Sequence, residues 1–120
     1  MAPTFDHAAS MGRELLDEVR RKRLESRDRG YAVEAFAARA RTHFLDEKTG
    51  RKLTTLEALL RMISLKPELR ELCRSRLSLI SEETVEKIFL EVPEDCISSV
   101  SREFAVRLVN FNLRRVRENV

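Results

Sequence analysis

Apolar residues recur at three- and four-residue steps over most of the chain, the spacing of helices that bury one stripe. Met11, Leu15 and Val19 form the first row, with Leu16 beside it, and predict a helix from about residue 9. The row then stops. Arg20, Arg21, Lys22 and Arg23 open a charged run that continues through Arg27 and Arg29 to Gly30, which is well placed just past a helix end. The segment 9–30 therefore reads as a highly charged helix suited to packing on a partner. Residues 1–8 contain Pro3 and no continuing apolar period, and read as a flexible N-terminal arm.

A second helix is predicted over about 31–45 from Tyr31, Ala32, Ala35, Phe36, Ala40 and Phe44, with Arg39 and Arg41 flanking the apolar row. The polar run 46–52, with Gly50 where a turn needs positive φ, reads as a connector in preference to a hairpin. Thr54 and Glu57 have capping-box spacing, and Leu56, Leu59, Leu60 and Ile63 supply the stripe that follows. Pro67 ends that helix and suits the first turn of the next, through Leu69, Leu72, Cys73 and Leu77. Ser81 is placed as the cap of a helix bearing Val85, Ile88 and Phe89, which Pro93 closes. Ile97, Val100, Phe104, Leu108 and Phe111 predict a last, longest helix from Glu94 or Asp95 to about Arg117.

The expected fold is all-α, a single compact domain over 9–120 with five or six helices in orthogonal or bundle-like packing. Its core is expected from Tyr31, Phe36, Phe44, Leu56, Leu59, Leu60, Ile63, Leu69, Leu72, Val85, Ile88, Phe89, Ile97, Phe104, Leu108 and Phe111. Composition agrees. Among 120 residues there are three glycines, three prolines, one tyrosine and no tryptophan, too few for the tight corners of a sandwich or barrel. No stretch approaches the ~18 apolar residues of a membrane span, and no basic segment leads into an apolar core at the start. Cys73 and Cys96 stand alone, with no paired spacing. Together these features point to a soluble protein of a reducing cytoplasm, with thiols buried in apolar stripes.

Catalytic signatures are missing. His7, His43, Cys73 and Cys96 are too scattered to form a zinc site by spacing, and Gly12, Gly30 and Gly50 build no phosphate-cradling loop. No cofactor, metal or enzymatic activity is expected.

Charge shifts the picture toward binding. The net charge is only +3, but the 23 basic residues are 18 arginines and 5 lysines, and the planar arginine fork suits phosphate. Residues 31–80 carry ten basic and six acidic residues, 81–101 one and six, and 102–120 five and two. Arg107, Asn110, Arg114 and Arg117 recur at helical steps on a face expected to point away from the Phe104 row. Arginine pairs guanine and asparagine pairs adenine, so this stripe is a candidate groove reader. Arg20, Arg21, Lys22, Arg23 and Arg27 are candidate phosphate contacts. These features imply a small non-catalytic nucleic-acid-binding protein of regulatory or phage-like type. The alternative is a protein-interaction module or homo-oligomer, in which Met11, Leu15 and Val19 and the acidic 81–101 block meet another chain.

Overall fold

The computed structural model describes residues 11–120, so the arm expected over 1–8 lies outside the described residues. Among them the chain forms α1 (Asp17–Glu25), α2 (Val33–Ala38), β1 (Arg41–Leu45), β2 (Lys52–Thr54), α3 (Thr55–Leu65), α4 (Glu68–Leu77), α5 (Glu82–Leu90) and α6 (Ser99–Asn119). The fold is mostly helical but not all-α, because β1 and β2 pair in a two-stranded antiparallel sheet.

That sheet replaces the second half of the helix expected over 31–45. α2 stops at Ala38, and the Ala40 carbonyl accepts a hydrogen bond from the Thr55 amide at 3.0 Å, fastening the chain to the start of α3. The turn is built by Asp46. Its Oδ1 accepts hydrogen bonds from the Lys48 and Thr49 amides at 3.0 and 2.8 Å and from the Thr49 hydroxyl at 3.0 Å. Gly50 closes the turn with φ 67°, so the polar run expected as a connector over 46–52 is a hairpin loop over 46–51, with Lys52 opening β2. Arg61 of α3 bonds the same carboxylate, which is nearly buried.

The first helix is also shorter than expected. Gly12 takes φ 74°, a left-handed conformation a helix does not continue, and Leu16 is extended, so α1 begins only at Asp17. The remaining boundaries follow local chemistry. The Thr54 hydroxyl accepts from the Glu57 amide while the Glu57 carboxylate accepts from the Thr54 amide, completing the capping box. Ser81 and Ser98 cap α5 and α6 by accepting from the amides of Thr84 and Ser101.

α6 is the axis of the fold, and α1 to α5 all pack on it. Val33, Ala37, Phe104 and Leu108 form the innermost cluster, with Leu15, Leu24, Phe36, Val109 and Phe111 against it. The Phe36 and Phe104 rings meet edge to face, 5.7 Å between centroids. Ile63, Val85, Leu53, Leu113 and Val120 are buried as well. Tyr31, Phe44, Leu72 and Ile88, expected in the core, are instead exposed. Phe44 is moved by its element: it stands on β1, where every residue but Thr42 is exposed. Leu72 lies on α4, which packs mainly on α3 and α6 among the described residues.

Candidate functional site

The arginine stripe of α6 is engaged with the protein itself. Arg107 donates from Nε and Nη2 to the two carboxylate oxygens of Glu34 at 2.7 and 3.0 Å, and from Nη1 to the Leu24 carbonyl at 2.9 Å. This guanidinium holds the Glu34 carboxyl below its ordinary range. Arg114 lies 3.4 Å from a Glu82 oxygen. Arg117 donates to the Leu77 carbonyl at 2.8 Å and also to that of Ile80, closing the end of α4. Asn110 is buried with its Oδ1 unpartnered, so the face expected to point outward turns inward at this position.

The cluster on α1 divides in the same way. Arg20 pairs with Asp17 at 2.5 Å and donates to the Gly12 and Arg13 carbonyls, leaving its side chain nearly covered. Lys22 pairs with Glu18 one turn away at 2.7 Å. Arg21 and Arg27 are exposed, and Arg27 borders a small hollow beside Arg29, Glu34 and Arg107. The apolar row divides too: Leu15 packs on the central cluster, Val19 is half-buried, and Met11 is exposed.

Arg23 is the member that leads elsewhere. It borders a cleft of about 710 Å³, the size of small-molecule sites, between the end of α2, the start of β1, the first turns of α3 and the last third of α6. Phe36, Leu56, Leu59 and Val116 give the cleft an apolar lining, and Arg23, Arg39, Arg41 and Arg115 give it charge. No acidic residue is among those lining it. The Arg23 guanidinium lies over the Tyr31 and Phe36 rings, 4.4 and 5.0 Å from their centroids, and donates to the Tyr31 carbonyl at 2.8 Å. Its Nε is buried without an acceptor. Arg115 leans on the Phe111 ring and donates to the Asn112 Oδ1 at 3.3 Å, while Arg41 donates to the Lys52 carbonyl at 2.7 Å. Arg39 is exposed, and its side chain holds no hydrogen-bond partner among the described residues. None of the four forms an ion pair there, unlike Arg20, Arg51, Arg61, Arg107 and Arg114.

Arg39, Arg41 and Arg115 were not candidates in the sequence, although Arg39 and Arg41 flank Ala40 there. Their convergence depends on the hairpin, which brings residues 39–41 against the start of α3. Cys96 is exposed and Cys73 half-buried, in place of the buried thiols expected. His43 stands exposed on β1, and no group of three histidine, cysteine or acidic side chains among the described residues is arranged to hold a metal. Among the same residues no helix is long and apolar enough to cross a membrane. The chain matches no protein-family model, no curated protein and no solved structure.

Proposed function

We propose that the chain is a small non-catalytic protein that binds nucleic acid at the arginine-lined cleft. One observation carries this reading: four arginines border a single cleft, none ion-paired among the described residues, with no carboxylate among the lining residues. Like charges gathered without counter-charge repel one another, and a polyanion relieves that repulsion. The guanidinium fork fits phosphate oxygens with two parallel hydrogen bonds. Arg21, Arg27 and Arg29 are exposed and close to Arg23 in sequence, Arg27 and Arg29 bordering a separate hollow. The reading includes a reducing cytoplasm, supported by two free thiols, one of them exposed.

The test is binding of labelled oligonucleotides to the full chain, measured by fluorescence anisotropy between about 50 and about 200 mM salt. Affinity falls at least about tenfold over that range, and the double variant Arg39→Ala, Arg41→Ala weakens binding by a similar factor and flattens the salt slope. Asn110→Leu leaves affinity unchanged. Salt-independent binding, or full affinity in the double variant, ends the proposal.

A second reading, interaction with another protein chain, is favoured by Leu65, Leu72, Leu79, Ile88 and Leu90, all exposed along α3 to α5. It requires an assembly in light scattering that Leu72→Asp dissociates. A monomeric mass at all concentrations counts against self-association.

A further inference from the structure

Resting on the reading above, we propose that the cleft takes one unpaired nucleotide of a single strand, with its base on the apolar lining and its phosphates on the arginines. Three observations carry this. The arginines border a concavity, whereas a double helix presents its phosphates on a broad convex surface and keeps its bases stacked inside. Groove reading needs an element that protrudes; an unstacked base needs a recess.

The lining is the second. A site for phosphate alone needs no apolar walls, yet Phe36, Leu56, Leu59 and Val116 line this one. A base is planar and largely apolar on its faces, and gains from such surfaces whatever its sequence identity.

The third is the graded burial of the four cations. Arg23 and Arg115 are half-buried, each against an aromatic ring, while Arg39 and Arg41 are exposed. The inner pair is held against aromatic rings, for stacking or for the nearer phosphate, and the buried Arg23 Nε–H lacks an acceptor. The outer pair suits the flanking phosphates of a continuing strand.

The experiment compares a uridine or thymidine 12-mer, a duplex of equal length and the free mononucleotide against the full chain. The single strand binds at least about tenfold more tightly than the duplex, and the mononucleotide competes only at about hundredfold higher concentration or above. Leu59→Glu, which puts a carboxylate among the apolar walls, removes that preference. Because Leu59 is half-buried, a second measurement uses the unaltered protein: a 4-thiouridine placed mid-strand photocrosslinks to residues of the cleft. Equal affinity for duplex and single strand, or crosslinks only outside the cleft, overturns the inference and leaves nucleic-acid binding standing. Competition by the mononucleotide at strand concentrations overturns it in favour of a small anionic ligand. Failure of every nucleic acid to bind removes the underlying reading as well.

Discussion

Arg107 holds the Glu34 carboxylate in a two-pronged hydrogen bond, at 2.7 and 3.0 Å, across 73 residues of sequence. Its third nitrogen reaches the Leu24 carbonyl, so one side chain of α6 ties both α1 and α2 to the central helix. An arginine that reads in sequence as a nucleic-acid contact is here an internal fastener. Its pairing also neutralises it, which leaves the unpaired arginines of the cleft as the stronger attraction for an anion.

Arg107→Ala therefore acts on stability. Removing charge-assisted bonds that remain about one-third exposed costs about 1–2 kcal/mol, read as a lowered urea midpoint with unchanged slope. Arg107→Lys recovers only part of the loss, because an ammonium cannot make the paired bonds of the fork. Oligonucleotide affinity stays at the wild-type level. An unchanged midpoint together with lost affinity would return Arg107 to the binding surface.

Gly12 predicts a larger effect from a smaller change. It is buried at φ 74°, and a Cβ there would lie 2.8 Å from the Phe104 ring and 3.4 Å from Leu15. Phe104 is fully buried and braced by Phe36, so it has little room to yield. Gly12→Ala combines an unfavourable backbone conformation with overpacking, about 2–4 kcal/mol in sum. Gly50→Ala, at φ 67° with nothing within 4 Å, carries the backbone cost alone, about 1 kcal/mol. Calorimetry on the two variants checks the ordering; equal melting temperatures would show that the Phe104 contact is relieved without cost.

Helices with a start signal read in the sequence, Thr54 with Glu57 and Ser81 before its acidic turn, lie where the spacing puts them. The row from Val100 to Phe111 is helical too, but α6 starts at Ser99 on its Ser98 cap, later than Glu94 or Asp95, and leaves Ile97 outside. Arg41 to Leu45 was not readable as a strand, since alternate residues of a short strand also fit a helical row, and the deciding hydrogen bonds come from Asp46 and Thr55 beyond it. Periodicity places a residue on a face but does not say what covers that face. Asn110 turns inward on α6, and Arg107, Arg114 and Arg117 find acceptors on α1, α2, α5 and the end of α4. The cleft was hidden for the same reason, because its arginines come from four separate elements or their junctions.

Acid tests the corner that supports this cleft. The Glu57 carboxylate accepts from Arg51 at 2.7 and 3.2 Å and from the Thr54 amide at 2.7 Å, and these partners, Arg51 foremost, lower its pKa from 4.5 to about 2. A value lower in the folded than in the unfolded chain stabilises above pH 4.5, and that contribution is lost as pH falls toward 2. Glu57→Gln therefore melts below the wild type at neutral pH, and the two curves converge between pH 4.5 and 2. Glu34 is lowered in both proteins by Arg107 and cancels from the difference. Because Thr55 and Leu56 of the cleft wall follow directly on Thr54, the same variant weakens oligonucleotide binding at neutral pH, while Arg51→Ala reproduces both effects. A gap in melting temperature that stays constant down to pH 2 would mean that the ionised Glu57 does not hold this corner, and that α3 is positioned by its packing on the hairpin, α4 and α6.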